Sequence, residues 1–310
     1  MRTHPLIIAT FAAAALLVVG AGCGLDGRPL TNGAGARIEV TASFYPLAHF
    51  TSKVGGGLVH VTSITPAGSE PHEYEPSPRQ IAEIHGSKLL VYNGAGMDNW
   101  AERLSPSLKA KGVATLEVAA GVGPLLPPAD AEEEMVNDPH VWLDPVLAIT
   151  QVGMIRDALA ALDPAHAETY RTNAEAYAGE LRTLDAAYRT GLSSCRLHTA
   201  VTAHASFAYL GRRYGFTQLP ISGLSPDEEP SAGRLARIAE QAKALKVRYI
   251  FFETLVSPQL AKTIADEIGA QTLVFDPLEG LTDQDIASGK DYVSVMTENL
   301  ANLKTALQCP

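Results

Sequence analysis

Along this chain, short apolar or β-branched runs alternate with stretches whose apolar residues recur at helical spacing. Ile38 to Ser43, Val59 to Thr62, Leu89 to Asn93 and Val113 to Glu117 read as strands, with helical patterns between them that include Arg79 to His85 and Asn99 to Lys109. Such an alternation is the signature of a parallel sheet, since only helices on its faces can cover continuous apolar strands. After Trp142-Leu143-Asp144-Pro145 the pattern turns predominantly helical. Asp163-Pro164 marks a helix start, and an Ala-rich, proline-free stretch from His166 to about Thr190 predicts one long helix. A second alternation follows, with strands at Ala200 to Ala203, Arg248 to Glu253 and Leu273 to Phe275, and helices at Phe207 to Tyr214, Ser231 to Leu245 and Pro258 to Ile268. The expected fold class is therefore α/β: two lobes, each a parallel sheet covered by helices, joined by one long rigid helix. The boundaries fall at 38–162 for the first lobe, 163–192 for the linking helix and 193–310 for the second lobe.

Composition agrees with two domains, because 310 residues that are 46% hydrophobic and 19% charged can bury a sizeable core. Part of that hydrophobicity lies at the start. Arg2 and His4 precede an apolar stretch from Leu6 to Val19, and Gly20, Ala21 and Gly22 lead into Cys23. Residues 1–22 read as a bacterial signal peptide with a lipoprotein-type cleavage site, although Gly20 stands where an aliphatic residue is usual. A transmembrane anchor is the alternative, but the apolar run is shorter than the ~20 residues a spanning helix needs. Residues 23–37, Gly-rich and polar, then form a flexible tether to membrane lipid on Cys23. The protein is expected outside the cytoplasm, lipid-anchored on the outer face of the cytoplasmic membrane or periplasmic. The formal charge is −10, and removing Arg2 leaves about −11, which sets nucleic acid aside as a partner.

Export also gives meaning to the other two cysteines. With Cys23 lipidated, Cys195 and Cys309 remain as an even pair in an oxidising compartment, and a disulfide between them is expected. It would close a loop of about 114 residues. Two unpaired buried thiols are the alternative.

Three histidines and one acid fall where such a fold binds ligands. His204 and Asp276 lie just past predicted strand ends, His72 sits in the Pro-rich loop after Val59 to Ile64, and His140 follows Asp138-Pro139 before an apolar turn. Imidazole and carboxylate together suit a borderline divalent ion, zinc first, with two ligands from each lobe placing the ion in the interlobe cleft. Glu253, at the end of a predicted strand, is a candidate for orienting a ligating imidazole or replacing Asp276, and Asp138 and Asp144 either do the same or cap turns and helices. His49, His60, His85, His166 and His198 lack comparable settings and read as structural or surface residues.

The segments Pro71-His72-Glu73-Tyr74-Glu75-Pro76, Asp138-Pro139-His140-Val141-Trp142-Leu143-Asp144-Pro145, His204-Ala205-Ser206-Phe207-Ala208-Tyr209-Leu210 and Phe275-Asp276-Pro277-Leu278 closely resemble the zinc and manganese solute-binding proteins of bacterial ABC importers, the ZnuA/TroA type. Tyr92-Asn93-Gly94 and Glu229-Pro230-Ser231 extend the resemblance, which covers about Ile38 to Cys309. It implies two α/β lobes bridged by a long helix, with His72, His140 and His204 as metal ligands and the acid at Asp276 as the fourth. It also implies zinc over manganese, since manganese members typically carry a carboxylate where this chain has His204. The implied role is a non-enzymatic, monomeric receptor that passes Zn2+, or alternatively Mn2+, to a membrane permease powered by an ATPase. An adhesin with a structural metal and an envelope zinc hydrolase are the other readings, the latter lacking a His-Glu-x-x-His helix. Where many zinc members carry a His-rich loop, residues 127–137 are short and acidic, with Glu132, Glu133 and Glu134 in a row. That loop reads as a solvated segment or as a weak electrostatic attractor of cations.

Overall fold

Eight strands pair into two parallel sheets with the same order. The first contains β1 (Ile38–Ala42), β2 (Val59–Ser63), β3 (Leu89–Tyr92) and β4 (Ala114–Glu117), ordered β2-β1-β3-β4. The second contains β5 (Thr199–Thr202), β6 (Thr217–Pro220), β7 (Tyr249–Phe252) and β8 (Gln271–Val274), ordered β6-β5-β7-β8. In each sheet the strand order reverses between the two central strands, and open α/β sheets bind ligands outside the carboxyl ends of strands at that reversal. The structure is a computed structural model and describes residues 37–128 and 136–310. The expected signal peptide 1–22, the expected tether with Cys23 up to residue 36, and Glu132 to Glu134 lie outside the described residues.

Ten α-helices complete the described residues: α1 (Tyr45–Gly55), α2 (Pro78–Gly86), α3 (Asn99–Ala110), α4 (Pro145–Leu162), α5 (Ala167–Gly191), α6 (Ala208–Tyr214), α7 (Ala232–Ala244), α8 (Gln259–Ile268), α9 (Asp283–Ala287) and α10 (Tyr292–Leu307). Their starts are written locally. Ser77 and Gln80 form a reciprocal capping box at α2, and Asp144 accepts from Val146 N and Leu147 N at α4, with proline in the first turn of both. A cap of this kind contributes about 1 kcal/mol. The long helix arrives where the sequence predicts it. Its 25 residues span about 37 Å, and it packs on α1, α4 and α10, with Asn173 bonding to α1 near its start and Tyr188 to α10 near its end.

Side-chain alternation assigns the faces. Leu89 and Val91 on β3 point into the main core while Leu90 and Tyr92 point to the opposite layer with Ile84, Trp100 and Leu108. In the second sheet Ala200 and Phe251 face the main core, and Val201 and Ile250 face Ile238, Ala242 and Ile264 of α7 and α8. The main core runs without a break from Val40 and Phe44 through Trp142, Tyr177 and Tyr188 to Phe275, Tyr292 and Leu307, so the two sheets share one interior. Helix α4 is apolar and long enough by composition to cross a membrane, but Ala148, Val152, Ile155 and Leu159 are buried in this core.

The expected disulfide is present between Cys195 and Cys309. It ties the chain after α5 to the second residue past α10, where Leu197 N also donates to Leu307 O at 3.0 Å.

Candidate metal centre

Each ligand-bearing segment follows the carboxyl end of a strand and is fixed by its own neighbours. His72 lies in the loop after β2. Both oxygens of Glu70 accept its backbone N–H at 3.0 Å, and Gly68 N donates across to Leu281 O at 2.9 Å, anchoring this loop to one that follows β8. His140 follows Pro139, whose carbonyl accepts from Asn93 Nδ2 at 3.0 Å. Asn93 is itself held by Asp98, which accepts from Asn93 N and Gly94 N at 2.7 and 2.8 Å. His204 follows β5, and its carbonyl accepts from Thr202 Oγ1 and Gln218 Nε2, both at 2.8 Å.

The three rings converge on one carboxylate oxygen. Glu279 Oε1 lies 3.3 Å from His72 Nε2, 3.4 Å from His140 Nε2 and 3.1 Å from His204 Nε2, and the two latter nitrogens are 3.2 Å apart. One donor atom from each of the four residues lies within 4.8 Å of the others. The side chains are sealed, with 0% exposure for His140 and His204 and 2% for His72 and Glu279.

Outer carboxylates fix the rings. Asp138 Oδ1 lies 2.8 Å from His140 Nδ1 and Glu253 Oε1 lies 2.7 Å from His204 Nδ1. A carboxylate there requires the proton on Nδ1, so in the neutral ring the Nε2 lone pair faces the cluster. Two such lone pairs and a carboxylate oxygen aimed at one point repel unless a cation lies between them. Electrostatics expresses this through protons. Burial alone would lower His204, yet Glu253 and Glu279 outweigh it and hold the imidazole well above its usual range. Burial likewise opposes a charge on His140, and Asp138 and Glu279 raise it. At His72 burial wins and the pKa falls. Burial disfavours the Glu279 anion, but His204, His140 and His72 hold its carboxyl well below the carboxylate range.

Asp276, expected from sequence as the fourth ligand, does not join this cluster. Its Oδ2 accepts from Thr254 Oγ1 at 2.6 Å and its Oδ1 from Leu278 N at 2.7 Å, so its lone pairs are turned to the protein and Glu279 occupies the corner instead. Burial, reinforced by Glu253 and Glu279, pushes Asp276 up to about 6. Glu253, weighed as an alternative ligand, stands behind His204 on Nδ1. The discounted histidines stay apart: His60 pairs with Glu39, His166 with Asp163, and His49 packs among Tyr45, Phe50, Tyr177 and Tyr292.

The segments are bolted across the cleft. Trp142 Nε1 donates to Pro277 O at 2.8 Å and Tyr292 OH to Trp142 O at 2.6 Å, which fixes the His140 segment to the Glu279 segment. A cavity of about 920 Å³ opens beside His72, lined also by Glu73, Glu102, Asp227 and Glu228.

The sequence model of the family described as "Zinc-uptake complex component A periplasmic" (ZnuA) matches residues 40–306. The chain belongs to the ZnuA family. Within it, the zinc-binding lipoprotein AdcA of Streptococcus pneumoniae (strain ATCC BAA-255 / R6) is 43% identical over 282 residues, covering 87% of this chain and 56% of AdcA. The chain thus spans about half the length of such relatives. The high-affinity zinc uptake system protein ZnuA of Bacillus subtilis (strain 168) is 35% identical over 308 residues, 96% of each chain. The crystal structure of the Zn(II)-bound ZnuA-like domain of Streptococcus pneumoniae AdcA superposes with a TM-score of 0.76 at 43% identity, covering 87% of this chain and 99% of that one.

Proposed function

We propose that this ZnuA-family chain is an extracytoplasmic receptor that captures zinc in the His72, His140, His204 and Glu279 cluster and delivers it to an ABC-type importer. One observation carries the reading. A four-coordinate zinc with bonds of about 2.0–2.2 Å has neighbouring ligand atoms about 3.3–3.5 Å apart. The four close separations of the cluster, 3.1 to 3.4 Å, lie at that edge or just below it. Three imidazoles and one carboxylate favour zinc over manganese, which takes more oxygen. Four protein ligands close the shell and leave no position for a reacting water, so the arrangement favours capture over hydrolysis. The zinc-binding names of the relatives support the same cargo.

Capture requires the protons on the cluster to leave. His204 and His140 are raised, so zinc displaces protons from them and affinity falls as pH falls. The receptor is read as a monomer, with lobes 38–162 and 193–310 on either side of the 163–192 connection, held at the membrane by lipid on Cys23 and docking on a permease driven by an ATPase.

Competitive titration of the chelator-stripped chain in detergent, zinc against manganese, tests the proposal. Tight one-to-one zinc binding that collapses in His204→Ala is expected. Preference for manganese, or no tight binding of either ion by the wild type, would overturn it.

A further inference from the structure

Asp276 makes none of the cluster's contacts, yet a turn held by four hydrogen bonds is built around it. Its Oδ1 accepts the N–H of Leu278 at 2.7 Å, its Oδ2 accepts from Thr254 Oγ1 at 2.6 Å, and Asn299 grips its backbone on both sides. Asp276 N donates to Asn299 Oδ1 at 2.9 Å and Asn299 Nδ2 donates to Asp276 O at 2.7 Å. Pro277 O receives the Trp142 indole N–H at 2.8 Å. What this clamp holds is Leu278, fully buried with φ at +57°, a left-handed conformation that residues with a side chain rarely adopt. The next residue is Glu279, whose Oε1 meets all three histidines.

The same local device presents the first two histidines. In Glu70-Pro71-His72 and in Asp138-Pro139-His140 the acid accepts the N–H two residues ahead, at 3.0 and 2.9 Å. Proline suits the middle place because it fixes its own φ, offers no competing N–H and keeps the acid before it extended. In those two turns the residue that donates the N–H is the ligand itself. In Asp276-Pro277-Leu278 the ligand comes one residue later, so the turn needs the left-handed step at Leu278 to bring Glu279 round.

The geometry points to Asp276 as a positioning residue: its carboxylate, clamped by Thr254 and Asn299, imposes on Leu278 the conformation that carries Glu279 into the cluster. This rests on the metal-binding reading above and names what sets its fourth corner. Without the Oδ1 bond, Leu278 relaxes toward negative φ and the Glu279 carboxylate swings away from the three rings.

The test compares Asp276→Ala, Asp276→Asn and the double variant Asp276→Ala/Leu278→Gly in the whole chain, beside wild type and His204→Ala. Zinc affinity is read by chelator competition, and coordination geometry by the visible absorption of bound cobalt(II). Asp276→Ala weakens zinc by roughly 10- to 100-fold, the usual range for loss of a residue that orients a ligand, and changes the cobalt spectrum. Asp276→Asn stays near wild type in both readouts, because its amide oxygen still accepts from Leu278 N. Leu278→Gly restores much of the loss in the double variant, since glycine takes positive φ without steric cost.

An Asp276→Asn variant as weak as Asp276→Ala overturns the inference, because that is the behaviour of a direct ligand. So does an Asp276→Ala variant that binds like wild type, or one that glycine at 278 fails to rescue. If wild type binds zinc and His204→Ala does not, these failures fall on Asp276 alone. If wild type binds no zinc, the metal reading falls and this inference falls with it.

Discussion

Replacing Glu253 with glutamine should weaken zinc binding and, at the same time, let it persist to lower pH. Glu253 Oε1 accepts both the backbone N–H of His204 at 3.2 Å and its Nδ1–H at 2.7 Å, in a place where the two side chains are 2% and 0% exposed. Glutamine keeps an acceptor there and removes only the charge. Hydrogen bonds to charged groups contribute about 1.5–3 kcal/mol against about 1 kcal/mol for neutral ones. The lost difference, on the order of 1 kcal/mol, makes Nε2 a poorer donor to the ion and corresponds to roughly five- to tenfold in affinity once the protons are off.

The second effect has the opposite sign. Burial by itself lowers the pKa of His204, and it is Glu253 and Glu279 that turn this into a strong rise. With one of the two carboxylates neutral the pKa must come down, so fewer protons compete with zinc and fewer are released on binding near neutral pH. Calorimetric titrations in buffers of different ionisation heat count those protons, and chelator competition across pH follows the affinity. Glu253→Ala serves as the control, since it also strands two buried donors and should cost more than glutamine does. The reasoning is refuted if Glu253→Gln releases as many protons as wild type, or if its affinity collapses at a higher pH than wild type.

Two further outcomes concern stability. Reducing the Cys195–Cys309 bond opens a loop of 114 residues and should lower unfolding free energy by about 4–5 kcal/mol on chain-entropy grounds, with zinc affinity unchanged because no cluster residue lies beside the bond. Urea titrations with and without reductant check it, and equal midpoints would contradict it. Burial lifts Asp98 to about 6 from 3.8 even though Asn93 N and Gly94 N donate to it. Since its folded pKa lies above the unfolded one, the folded state holds the extra proton between them. Stability therefore falls by about 3 kcal/mol as pH rises from about 4 to about 6. Asp98→Asn does not titrate and should lack this slope, so a stability difference between the two proteins that stays flat across the window would refute the assignment.

The parts of the fold that were legible in the sequence are those with strong local signals. β3 and β7 are continuous apolar runs, β1 alternates around Val40 with β-branched residues, and α2 and α7 begin at serine caps, so their positions follow from residues close in sequence. Strand β6, Thr217-Gln218-Leu219-Pro220, carries a single large aliphatic residue and lies at a sheet edge, where proline is tolerated and burial is partial, so no apolar run announces it. Helices α1 and α10 were also absent from the expected elements, although Asp291 caps α10 through Ser294 N. The expectation of two lobes is met by two sheets. Their shared interior is not visible in sequence, because it depends on how α5 packs on α1, α4 and α10, which lie far from one another along the chain.

The site divides along the same line. His72, His140 and His204 each stand in a distinctive local setting, and the structure brings all three together. At the fourth corner the sequence points to Asp276, which lies just past a strand end and matches the family's acid, whereas the structure places Glu279, three residues on, against the histidines. A local rule would have pointed elsewhere: an acid before proline tends to turn its carboxylate onto the N–H two residues ahead. Asp138 and Asp144 do this to His140 and Val146 at 2.9 Å each, and Asp276 does it to Leu278. In Asp-Pro-Leu-Glu the aspartate is thus committed to its own backbone, and the longer glutamate is the acid left to reach the three imidazoles. Reading the acid-proline pairs as turns rather than as ligands predicts that Asp138 and Asp276 turn onto their own backbone while Glu279 is left to face the histidines, which is the arrangement found.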